Sequence, residues 1–230
     1  MLWFGTSGAR LQPGSKNGFR TGIFSSRPHA VDQEDVSYRR LALQLHYDAV
    51  DGRLPRSVLI TAPDGSAACA HATIGLACSL ATELGRPVLL VDACSAAGSV
   101  TRLMADPQRP GLGELLANPA LPLASLVLPT SHPNLSLLPA GVCPSNCPDS
   151  AVLTRALDLL ATSYDFLVVA GGGALTHSLT RALAPHVGSV LLLGVENETR
   201  TDDLDAAQSA LRFSNVQRLA LVLTTQTRSR

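Results

Sequence analysis

The stretch from Ser57 to Asp92, SVLITAPDGSAACAHATIGLACSLATELGRPVLLVD, constrains the fold more than any other part of the chain. A β-rich run, Ser57 to Thr61, leads into a Pro-Asp-Gly-Ser loop and then a long Ala/Leu-rich segment. A second β-rich run, Val88 to Val91, ends at Asp92. Their periodicity and turn residues predict strand, glycine-containing loop, helix and strand. A loop that opens a helix in this way points backbone N–H groups at an anion site. Here, however, the loop is followed by alanine and cysteine, so the architecture is legible while the usual phosphate chemistry is missing.

The rest of the chain supplies the matching layers. Tyr38, Leu41, Ala42, Leu45 and Ala49 share one face of a helix predicted from Glu34 to Ala49, which Asp51-Gly52 ends. Helices are predicted at Leu112–Ala117, at Ala151–Ser163 with Asp149 or Ser150 as cap, near Leu175–Ala184, and at Asp202–Phe213. Asp202, Asp203 and Asp205 lie near the positive end of the last of these. Strands are predicted at Leu135–Leu138, Asp165–Ala170, Ser189–Val195 and Leu219–Leu223. Uninterrupted apolar strands alternating with helices predict an α/β domain, a mainly parallel sheet with helices on both faces.

Composition bounds the rest. Hydrophobic residues make up 46% of the 230 residues and charged residues 16%, enough for a sizeable core. Zero formal net charge argues against a nucleic-acid coat, so no nucleic-acid partner is expected. No apolar run reaches the ~20 residues that span a bilayer. The start lacks a signal-peptide pattern, and five cysteines at irregular spacing fit a reducing compartment. The expected location is the cytoplasm, peripheral at the inner face of the membrane at most. Residues 1–33, rich in Gly, Ser, Asn and Pro and carrying Arg10, Lys16, Arg20 and Arg27, are read as a flexible basic tail. One α/β domain is expected over 34–226, with a short tail at 227–230.

In order along the chain, Tyr38-Arg39-Arg40-Leu41, SVLITAP, Gly75-Leu76-Ala77, Arg86-Pro87-Val88-Leu89-Leu90-Val91-Asp92, Gly111-Leu112-Gly113-Glu114-Leu115-Leu116, Leu137-Leu138-Pro139-Ala140-Gly141, Asn146-Cys147-Pro148 and Tyr164-Asp165-Phe166 carry a resemblance. Together they resemble the cytoplasmic domain of bacterial polysaccharide tyrosine autokinases. These are P-loop NTPases related to the Min/Par group that work with membrane chain-length regulators in capsule and exopolysaccharide export. The resemblance runs from about Val36 to Thr224. It implies a vestigial pocket at Asp64, Gly65, Ser66, Cys69 and Asp92. Aligned on Gly75-Leu76-Ala77, Cys69 stands where the family has its P-loop lysine, Ala70 at the Mg²⁺-binding hydroxyl and Ala68 at the preceding glycine. Lys16 is the only lysine of the chain, so no alignment supplies one inside the domain. The family's Asp-x-Asp becomes Asp92-Ala93-Cys94, and its third acidic motif becomes Ala170-Gly171-Gly172-Gly173. The family's phosphoacceptor is a tyrosine-rich tail, whereas the tyrosines here are Tyr38, Tyr47 and Tyr164.

Phosphoryl transfer on such a fold rests on positioning and electrostatics, with Mg²⁺ and the lysine neutralising charge. Losing them is expected to leave no catalytic residue, no required cofactor and at most weak residual ATP/Mg²⁺ binding. The resemblance then implies a pseudokinase of exopolysaccharide, capsule or holdfast export that binds a membrane polysaccharide co-polymerase. Arg39 and Arg40 are the candidate partner-binding residues. Arg39 matches one position of the family's ring-assembly helix, while Val36 and Ala42 replace two others, so a homo-oligomer is left open. A degenerate Min/Par-like positioning protein for a pilus or secretion machine, and a weak residual ATPase, are the alternatives.

Other constellations carry less. Cys69, His71 and Cys94 fall near the old phosphate site and would make an incomplete zinc set, so small buried filler is the better reading and no metal is expected. Cys143-x-x-x-Cys147 lies in a Pro-rich loop and reads as exposed free thiols. Asp92 reads as a hydrogen-bond acceptor at a strand end rather than a lone metal ligand. Gly171-Gly172-Gly173 lacks dinucleotide-fingerprint spacing. His177-Ser178 lacks a nucleophile elbow.

Overall fold

The computed structural model describes residues 3–5, 33–50, 56–65, 67–96, 98–142 and 147–224. Their strands form one eight-stranded sheet. In chain order these are β1 (Trp3–Gly5), β2 (Ser57–Ala62), β3 (Val88–Asp92), β4 (Leu128–Pro129), β5 (Leu135–Leu138), β6 (Phe166–Gly173), β7 (Ser189–Val195) and β8 (Leu219–Thr224). Across the sheet the order is β1-β8-β7-β2-β6-β3-β5-β4. All pairings are parallel except β4 with β5, an edge where Pro129 removes a backbone donor.

The helices are α1 (Gln33–Val50), α2 (Ala67–Leu84), α3 (Val100–Met104), α4 (Leu112–Ala117), α5 (Leu123–Leu126), α6 (Ser150–Ala161), α7 (Ser178–Leu183) and α8 (Thr201–Phe213). Strand alternation splits the core into two. Val58, Ile60, Leu90, Val168 and Leu193 face α1 and α2, burying Ala42, Leu45, Leu76 and Leu80. Leu59, Leu89, Val91, Val169 and Leu192 face α4, α6, α7 and α8, burying Leu115, Leu153, Leu160, Leu183 and Leu211. The expected doubly covered parallel sheet is present. Each fully buried leucine adds about 1.5–3 kcal/mol of transfer free energy.

Helix α1 lies on α2 as its apolar stripe demands. Tyr38 packs over Gly75, where an added Cβ would sit 2.8 Å from the ring. Arg39 Nε donates to Glu83 Oε1 at 2.6 Å.

Two of the motifs turn out to be halves of one clasp. Leu112 and Gly113 N–H donate to Pro139 and Ala140 carbonyls at 2.8 and 2.9 Å. Glu114 then accepts from Gly111 N–H at 2.6 Å and Val142 N–H at 3.1 Å. A Cβ at Gly111 would overlap the Pro139 carbonyl, and Gly141 has φ +64° with Glu114 pressed against it. Removing the carboxylate strands two donors, so Glu114→Ala is expected to cost about 2–3 kcal/mol. Urea denaturation checks this, and Glu114→Gln should recover part of it.

Several local expectations need correction. No strand was expected before Gln33, yet Trp3–Gly5 pairs in parallel with Leu221–Leu223. The other residues of the tail expected over 1–33, up to residue 32, lie outside the described residues, as do 225–230. Helix α7 starts at Ser178 rather than Leu175, because Ala174 and Leu175 N–H are still bonded to Ala62 and Pro63 carbonyls. Asp149, one of the two expected caps of α6, does take the cap position, but only through its carbonyl, which accepts from Val152 and Leu153, while its side chain makes no capping bond. Strand β6 runs on to Gly173 instead of stopping at Ala170.

Candidate functional site

The C-terminal ends of β2, β3 and β6 meet the start of α2, which is where ligands bind in sheets of this kind. A pocket there is lined by Gly65, Cys69, Ala70, Asp92, Cys94, Gly98, Ser99, Val100, Ala170 and Gly171, with a cavity volume of only about 10 Å³. That is about the space of one water molecule.

Beside the pocket, backbone packs directly on backbone. Ile60 pairs with Ala170 but Ala62 pairs with Gly173, so β6 carries one extra residue, a bulge. Thr61 Oγ1 donates to the Gly172 carbonyl at 2.6 Å inside that bulge. The loop after β2 then lies directly on the glycines. A Cβ on Gly65 (φ +80°) would stand 2.6 Å from Gly173 N, and one on Gly173 would stand 2.6 Å from the Asp64 carbonyl carbon. Ala170-Gly171-Gly172-Gly173 is therefore the surface onto which the loop is packed.

Asp92 is fully buried and its two oxygens are engaged. Oδ1 accepts from Cys94 N–H at 3.1 Å and Oδ2 from Thr101 N–H at 2.6 Å. Ser99 and Thr101 hydroxyls also bond to it, and Thr101 Oγ1 in turn accepts from Ala140 N–H at 2.9 Å. Burial raises the Asp92 carboxyl above its ordinary value, and the bonds from Thr101, Cys94 and Ser99 oppose that rise. The carboxylate thus holds the first turn of the five-residue helix α3 onto the sheet.

Cys69 is buried in the first turn of α2, and burial pushes its thiol up to about 12, so it stays protonated. Cys94 is also buried and its thiol is raised, mainly by burial. Ala70 offers no hydroxyl.

Of the residues expected at the pocket, Gly65, Cys69 and Asp92 line it, Asp64 is exposed beside the loop, and Ser66 lies outside the described residues. His71 is exposed on α2 while Cys69 points inward, so the two are not brought together. No group of three His, Cys, Asp or Glu side chains able to hold a metal occurs among the described residues. Cys143 lies outside them, and Cys147 is exposed. Arg39 and Arg40 are exposed on α1, with Arg39 engaged by Glu83. Sequence reasoning missed Ser99, Val100 and Gly98. The available signal was Ser99 standing as a helix cap before Val-Thr-Arg-Leu-Met.

No protein-family model and no curated protein matches the sequence. Solved structures do. The BceF tyrosine kinase domain superposes with a TM-score of 0.69 at 24% identity, covering 85% of this chain and 78% of that one. The kinase domain of the Escherichia coli tyrosine kinase ETK gives 0.74 at 20% identity, covering 95% and 84%. MinD of Aquifex aeolicus gives 0.55 at 17%, covering 74% and 69%. The chain has a P-loop NTPase-like α/β fold. The loop after β2, the end of β3 and the end of β6 meet at the pocket. The side chains found there are Cys69, Ala70, a fully engaged Asp92 and three glycines. Among the described residues, no helix is long and apolar enough to cross a membrane.

Proposed function

We propose that this chain is a pseudokinase, non-catalytic at its P-loop site, of exopolysaccharide, capsule or holdfast biosynthesis, working in the cytoplasm at the inner face of the membrane by binding a polysaccharide co-polymerase. The observation that carries the reading is the pocket itself. The residues present do not fit a Mg²⁺-nucleotide. The loop rests on Gly172 and Gly173, the cavity holds about one water, Asp92 is committed to α3, and the neutral thiol of Cys69 stands where the resemblance expects the lysine. The likeness to tyrosine kinase domains, broader in coverage than that to MinD, supports the polysaccharide reading over a Min/Par-like positioning role.

A chain that turns over no nucleotide acts on the export machinery through its surfaces. The exposed face of α1, with Arg40 and the 65%-exposed Tyr47, is the proposed contact. Reversing Arg40 to Glu should weaken co-isolation with the co-polymerase at least ~10-fold without moving the melting temperature. That factor corresponds to about 1.4 kcal/mol. Arg39→Glu is a less clean test, since it also loses the bond to Glu83. Undiminished co-isolation by Arg40→Glu would remove α1 from the interface. Polysaccharide genes beside this one would support the reading, and pilus genes the alternative.

A further inference from the structure

Ser150, Thr154 and His186 form a cluster none of whose members lines the pocket described above. Ser150 Oγ lies 3.2 Å from His186 Nε2, and Thr154 Oγ1 lies 3.1 Å from His186 Nδ1. A third contact favours one assignment of the two bonds. Thr154 Oγ1 donates its only proton to the Ser150 carbonyl at 3.0 Å, so towards His186 it can only accept. With Thr154 used in this way, the His186 tautomer that fits both contacts has its proton on Nδ1 and presents the Nε2 lone pair to the Ser150 hydroxyl. Nucleophile, base and orienting group stand in sequence at hydrogen-bonding distance, the arrangement that activates a serine.

The local backbone suits the same chemistry. Ser150 is exposed and opens the 12-residue helix α6. Val152 and Leu153 N–H are taken by the Asp149 carbonyl, and the Asp149 side chain does not cap the helix. The N–H groups of Ser150 and Ala151 belong to the first turn of this helix, whose positive end favours a developing oxyanion.

We propose that Ser150 is a His186-activated nucleophile that accepts acyl groups from small carboxylic esters, with Thr154 as a positioning residue. Ser150 Oγ bonds to the ester carbonyl carbon while its proton passes to Nε2. The C–O bond to the leaving group then breaks, and the alkoxide takes that proton. A water molecule attacks the acyl-serine, again losing a proton to Nε2. It releases the carboxylic acid and restores Ser150. Small esters are the class because the serine lies on an open surface.

The test uses the full chain with p-nitrophenyl acetate and a fluorophosphonate probe. Peptide mapping of the unsubstituted protein should place the fluorophosphonate on Ser150. Ser150→Ala and His186→Gln should each lower ester hydrolysis at least ~10-fold. His186→Gln keeps an acceptor for the hydroxyl but cannot carry the proton, so its loss at an unchanged melting temperature separates base from brace. Thr154→Val should slow labelling of Ser150. Absence of label on Ser150, or hydrolysis unchanged in Ser150→Ala, overturns the proposal.

Discussion

Gly173→Ala is expected to cost about 3–5 kcal/mol and to lower the melting temperature by roughly 10 °C or more. The added methyl would stand 2.6 Å from the Asp64 carbonyl carbon and 2.8 Å from its oxygen, and it would collide with Thr176 Oγ1. Backbone cannot swing aside as a side chain can. The loop would have to lift from β6, and the bonds that tie Ala174 and Leu175 to Ala62 and Pro63 hold it down. Gly85→Ala is the matched comparison. Gly85 has φ +59° but meets nothing within 4 Å, so only the backbone strain of about 1–2 kcal/mol is expected. Thermal unfolding of the two variants side by side reads the difference. Equal losses would mean that the loop does not rest on the glycines.

Asp92→Ala comes next, at about 3 kcal/mol. It leaves the Thr101 and Cys94 N–H groups without acceptors in a buried site and frees the first turn of α3. In a chain of this size that is a fall of roughly 6–12 °C in melting temperature. Asp92→Asn keeps one carbonyl acceptor but turns an amide towards a donor, and should fall between. The pH dependence has a definite sign. Because the folded-state value of Asp92 lies above the unfolded one, the native state holds its proton more tightly in the window between them. Asp92 therefore contributes its stability most fully below the ordinary carboxylate range and loses it as pH rises through the raised value. Asp92→Asn should flatten that part of the profile. An unchanged melting temperature in Asp92→Ala would contradict a structural role for this acid.

What was readable from sequence, and what was not, follows from where each segment finds its hydrogen bonds. Strands β2, β3, β6 and β7 announce themselves because burial on both faces demands continuous apolar runs such as Phe166 to Ala170. The extension of β6 through Gly171–Gly173 was hidden, since glycine runs read as loop and the reason for them lies across the sheet in Asp64 and Gly65. Helix α3 was missed because Val100 and Thr101 are poor helix formers, and its first turn is fixed by an acid eight or nine residues upstream, Asp92. That Cys69 and Ala70 open α2 beside the pocket could be read directly. The clasp of Glu114 on Gly111 and Val142 could not, for the two motifs are 28 residues apart in the chain. Neither could the Ser150–His186 pair, whose members lie 36 residues apart.

The most direct measurement is calorimetric titration of the purified full chain with Mg²⁺-ATP and Mg²⁺-ADP, followed by phosphate release and phosphotyrosine detection on the same sample. A chain whose loop rests on Gly172 and Gly173, with Asp92 committed to α3, should show no saturable binding tighter than about 1 mM, no turnover and no self-labelling. Micromolar binding, or Mg²⁺-dependent turnover that Asp92→Asn abolishes in a folded protein, would contradict it.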